Sequence, residues 1–181
     1  MENTTTDNSA ASLVPLLRYL KAAAHDVGFM DVVDWACSEL DGYRTEPPPY
    51  RRVIGTPFGF NPLNGWIPVF MEDRIRLRQF GVHHLRQPIS AIEAAVCAGE
   101  SGKAQVHFSA NDIEEINAAA GTHYSQIATT IDSRALKSLL RSVESLARRW
   151  EHQAASPVGL PRGVIPFKGE HHSITYRPSQ H

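Results

Sequence analysis

Two histidines, an arginine and a proline sit within "VHHLRQPISAIEAA", residues 82–95, a run that otherwise reads as an amphipathic helix. Imidazoles that titrate near neutrality can do acid–base, metal or phosphoryl chemistry. The same run, with Leu85, Ile89 and Ile92 at helical spacing, can equally serve packing. Metal chemistry is the weakest of these readings. The nine histidines include no H-E-x-x-H, and no cysteine pair accompanies them. Neighbouring residues on a helix point about 100° apart, so His83 and His84 could not readily share an ion. No metal ligand and no cofactor is therefore expected. Nucleophilic catalysis has no motif either: G-x-S-x-G is missing, and "GESGK" at 99–103 is too short for a phosphate-cradling loop.

The residues His83, Leu85, Arg86, Gln87, Pro88, Ile89 and Ile92 resemble the phosphoacceptor helix of two-component histidine kinases, over about 12 residues. The resemblance implies a dimeric helical hairpin, built from residues 70–98 and 109–131, with phosphate carried on His83. The family has an acid after the histidine, where this chain has His84, and nothing after residue 110 supplies ATP-binding boxes. The resemblance thus implies a phosphotransfer module without its own ATPase domain. On the competing reading, Leu85, Ile89 and Ile92 are core, His84 and Arg86 are solvated, and Pro88 kinks or starts a helix.

Two further patterns suggest partners. Pro47, Pro48, Pro49 and Tyr50 form Pro-Pro-x-Tyr, a segment of polyproline II character suited to a WW-domain groove. Viral matrix proteins carry a similar motif, although a rigid turn explains the prolines as well. Arg74 and Arg78 share one helix face, with Arg86 two turns on, and Arg141, Arg148 and Arg149 form a second cluster. Arginine forks suit phosphates, so local RNA contact is conceivable despite the nearby Glu72, Asp73, Glu144 and Glu151.

The elements that would position these groups are mainly helical. A chain of 181 residues with 42% hydrophobic and 20% charged residues suits one globular domain. Its net charge of −1 gives no global attraction to nucleic acid or to acidic membranes. Residues 1–11 read as a disordered arm and 156–181 as an extended tail rich in Pro and Gly. Between them, residues 12–155 read as one helical domain. Ser12 caps a helix carrying Leu13, Leu16, Leu17 and Leu20, Gly28 breaks it, and Phe29–Leu40 form a second, ended by "DGY". Residues 43–68 hold six prolines and three glycines and read as a long loop, with a short strand near 52–55 and Phe58, Phe60 and Trp66 pinning it to the core. A third helix is expected from Val69 to Ala98, then a short strand at 104–108. Ser109 and Asp112 form a capping box, opening a helix that runs on through Ile127 and Ile131. Leu136, Leu139, Leu140, Val143, Leu146, Ala147 and Trp150 mark a last helix with a clean apolar stripe. Cys37 and Cys97 read as buried free thiols.

The expected architecture is thus a mostly all-α bundle of about five helices, with one elaborate loop and extended termini. No transmembrane span and no secretory leader is expected, which points to the cytoplasm or a virion. The preferred function is a non-enzymatic, self-associating structural protein of viral coat or matrix type, and the alternative is the histidine phosphotransfer module.

Overall fold

The computed structural model describes residues 12–98 and 103–155; the arm and tail expected at 1–11 and 156–181 lie outside the described residues. The all-α expectation is incorrect: among the described residues six α-helices share the chain with six strands in two antiparallel sheets. The first two helices match the sequence pattern. Helix α1 (Leu13–Asp26) begins at Ser12, whose hydroxyl accepts from the Val14 amide. Helix α2 (Met30–Asp41) ends at Gly42, where a φ of 93° and the nearby Arg86 carbonyl leave no room for a side chain. The Tyr43 amide donates to that same carbonyl at 2.8 Å, which fixes the exit from α2 against residues 85–88.

Residues 43–68 hold more regular structure than their prolines suggest. A 3-10 turn (Pro49–Arg51) leads into β1 (Arg52–Ile54), and the hairpin β2 (Thr56–Asn61) and β3 (Gly65–Pro68) follows. The expected helix from Val69 to Ala98 is three elements: α3 (Arg74–Phe80), β4 (Val82–His84) and α4 (Ile89–Ala98). Its start and its interruption have local causes. The Asp73 carboxylate caps α3 by accepting from the Ile75 and Arg76 amides. Pro88 disfavours helical geometry in Gln87, so α4 starts directly after the proline, whose carbonyl accepts from Ala91 and Ile92. The released segment pairs instead with β1, in the register Arg52–His84, Val53–His83 and Ile54–Val82.

The capping box at Ser109 and Asp112 is present and opens α5 (Ala110–Ala120), but that helix stops at Gly121. Ile127 and Ile131 belong to a strand, β6 (Ile127–Asp132), flanked by β5 (Lys103–His107) before the long α6 (Ser133–Ala155). The larger sheet has the order β3-β2-β6-β5. Strand residues alternate between faces. Pro57, Gly59, Ile127, Thr129 and Ile131 therefore share the face toward the helices, while Phe58, Phe60, Trp66, Ala128 and His107 share the other. On that second face Trp66 meets Phe60 and His107 edge-on, with ring centroids 5.5 and 5.9 Å away. Phe60 and Trp66, expected to pin a loop to the core, thus pack on each other across a sheet.

Two apolar clusters lie on the helical side. The larger joins α1, α2, α4 and α6 through residues such as Leu17, Leu20, Val33, Ile89, Leu139 and Val143. The smaller gathers Val69, Ile116 and Ile127 under Leu77, Phe80, Phe108 and Tyr124. Tyr124 lies flat over Gly59, and a Cβ at that glycine would collide with its ring. Cys37 is half-buried against the larger cluster and Cys97 is exposed, in place of the two buried thiols expected.

Candidate functional site

Glu39 on α2 and Arg51 at the end of the 3-10 turn are both wholly buried. Arg51 Nη2 donates to Glu39 Oε2 at 2.5 Å, and its Nε donates to Oε1 at 3.2 Å. Its Nη1 donates to the carbonyls of Leu85 and Gln87, at 3.0 and 2.7 Å. One guanidinium therefore joins α2, the proline-rich segment and the loop between β4 and α4. Glu39 Oε1 also accepts from the hydroxyls of Tyr43 and Tyr50, at 2.6 and 2.5 Å, and the Trp35 indole donates to Tyr50 at 2.7 Å. The Arg51 guanidinium stands 4.8 Å above the Tyr43 ring. Burial, and then the adjacent Glu39 charge, push both phenols well above the usual tyrosine range. Among the described residues no buried side-chain polar atom lacks a partner. The cluster satisfies itself, and its chemistry is that of a rivet.

His83 and His84 lie on a strand, so they face opposite sides of it. His83 Nε2 lies 2.7 Å from the hydroxyl of the buried Thr129 on β6, and its ring packs on Phe108 at 5.4 Å. This contact ties the small sheet to the large one. Burial lowers the His83 pKa and His84 lowers it further, while Asp112 partly offsets both. His84 is turned outward, with Nδ1 3.5 Å from Glu46. The phosphoacceptor geometry requires an exposed imidazole midway along a helix, and here there is no helix at that point.

The other residues singled out in the sequence are scattered. Arg74 and Arg78 are exposed on α3, a seven-residue helix in which Arg76 is held by Glu115 at 3.0 Å. Arg86 does not continue their face, because α3 ends at Phe80. Pro47 is buried and Pro48 half-buried, and the Tyr50 hydroxyl is engaged with Glu39, so Pro-Pro-x-Tyr is built into the fold. Sequence reasoning missed Glu39 and Arg51. A glutamate on the apolar face of α2, in register with Val32 and Ala36, was the available signal.

Beside this rivet lies an open groove of about 400 Å³ between Tyr50 and one face of α6. Its lining on α6 includes Ser138, Arg141, Ser142, Ser145 and Arg149, with Leu146 as an apolar member. Arg148, expected in the same cluster, does not line the groove and is paired with Glu144 at 2.9 Å. No group of three or more metal-ligating side chains gathers among the described residues.

The fold and site define a small mixed α/β protein whose buried charges are consumed internally and whose surface offers an arginine–serine groove. The model of the AbiTii family matches residues 2–153, so the chain belongs to that family, a bacterial abortive-infection family. No curated protein and no solved structure matches it. Family membership overturns the viral coat or matrix reading, the virion placement and the phosphotransfer alternative. Among the described residues, no helix is long and apolar enough to cross a membrane.

Proposed function

We propose that this chain is a phage-defence protein, acting inside the infected bacterial cell by binding rather than by catalysis. The observation that carries the reading is the AbiTii family match over residues 2–153. The geometry supports the binding half. Glu39, which buried among tyrosines would be the natural general base, accepts from Tyr43, Tyr50 and Arg51 and has no proton to take from a substrate. His83 is likewise engaged with Thr129.

The test is plaque formation by a panel of phages on bacteria that carry or lack the chain. Defence predicts fewer plaques for at least one phage on the carrying strain. Equal plating across a broad panel would overturn it. Turnover of RNA, DNA or nucleotides by the purified chain would overturn the binding half alone.

A further inference from the structure

We infer that the groove between Tyr50 and α6 binds the phosphodiester backbone of a nucleic-acid strand, with Arg141 and Arg149 as the phosphate-holding residues. This goes beyond the defence reading and stands on separate observations. Arg141, Ser145 and Arg149 follow one another at four-residue spacing, which keeps them on one face of the helix. A rise of about 1.5 Å per residue separates the two arginine backbones by roughly 12 Å along the axis. The row is long enough to follow a strand.

The electrostatics favour an anion. Among the described residues, no carboxylate lines the groove. Among the described residues neither Arg141 nor Arg149 has an ion-pair partner, whereas Arg76, Arg134 and Arg148 are each held by a carboxylate. Both guanidinium forks thus remain able to grip phosphate oxygens. Behind Tyr50, Glu39 is neutralised by Arg51, so the adjoining rivet adds no net charge. Ser145 adds an exposed hydroxyl between the arginines and Ser138 another one turn before them, while the Ser142 hydroxyl already donates to the Ser138 carbonyl.

Other occupants fit less well. A lipid surface would ask for apolar side chains at the rim, and among the described residues Leu146 is the only aliphatic one in the lining. A free mononucleotide would ask for an enclosed pocket, and this groove is open along the helix.

The experiment measures fluorescence anisotropy of labelled oligouridylate and oligothymidylate with the full chain across a salt series. Binding is expected to weaken as salt rises, because phosphate contacts release counterions. Arg141→Ala with Arg149→Ala should weaken binding roughly tenfold near 50 mM salt and reduce the log–log salt slope by about 1.4, from two contacts on a single strand. Ser145→Glu, which leaves both arginines in place, should also weaken it by setting a carboxylate in the row. Circular dichroism of each variant should match the parent, since all three side chains are exposed. The comparison of RNA and DNA distinguishes the source of the backbone. No binding to either oligonucleotide, an unchanged salt slope in the double variant, or displacement by adenosine monophosphate at equal phosphate concentration would overturn the inference. None of these results bears on plaque formation, so the groove and the defence reading can fail independently.

Discussion

Arg51 and Glu39, twelve residues apart, meet as an ion pair from which solvent is wholly excluded. Such a pair does not by itself add much stability, because desolvating both charges offsets their attraction. Breaking it is another matter. Arg51→Met strands the Glu39 carboxylate and removes the donor for the Leu85 and Gln87 carbonyls. Urea unfolding should show a loss of about 3–5 kcal/mol. Arg51→Lys should recover only part of it, since an ammonium lacks the fork that reaches the carboxylate and both carbonyls together.

His83 gives the fold a pH dependence whose sign follows from its environment. Its folded pKa lies below the ordinary 6.5, so the unfolded chain binds the proton more readily. The contribution is fully present above about pH 6.5 and is lost as pH falls through the folded pKa. Thermal unfolding of His83→Gln should show a flatter decline between about pH 7 and pH 5 than the parent. A decline of equal steepness would remove His83 as its source.

Tyr43 and Tyr50 give the opposite edge of the profile. Their folded pKa values are raised above the ordinary 10.0, so their contribution is present below about pH 10 and is lost as pH rises through the folded values. In an alkaline absorbance titration, two phenols should stay un-ionised past pH 10 until the chain unfolds. Glu39→Gln, which removes the adjacent negative charge, should bring both transitions down.

Gly59 supports the Tyr124 ring, and a methyl there must displace it. Gly59→Ala should cost about 1–3 kcal/mol in thermal or chemical unfolding. Adding Tyr124→Ala should cost less in that background than in the parent, because the two residues share one contact. Strict additivity would mean that the ring does not rest on the glycine.

What the sequence made legible follows from how singular each signal is. The Ser12 cap, the break at Gly28, the capping box at Ser109 and Asp112 and the stripe of α6 each have one structural meaning, and each is present. Ile127 and Ile131 are ambiguous, because a spacing of four satisfies both the helical and the strand period. The β-branched run "IATTI" was the signal that could have decided for a strand. The helix expected across 69–98 is absent for a related reason: its apolar spacing runs on through Gly81 and Pro88, but both residues interrupt the helical backbone. The rivet was invisible for a different reason, since no local pattern announces that a glutamate on one helix will meet an arginine in a proline-rich turn. Arg141 and Arg149 are legible as a cluster with Arg148, but the groove that takes in the first two and not the third depends on Tyr50, which no local pattern brings to α6.

The most direct test of the defence reading is the growth of infected cultures carrying the chain, at low and at high phage multiplicity. Abortive infection predicts that the culture outgrows a low dose, because infected cells yield few phages, and that it stops growing at a high dose, because most cells are infected. Lysis indistinguishable from cells lacking the chain at the low dose, or continued growth at the high dose, would contradict the account.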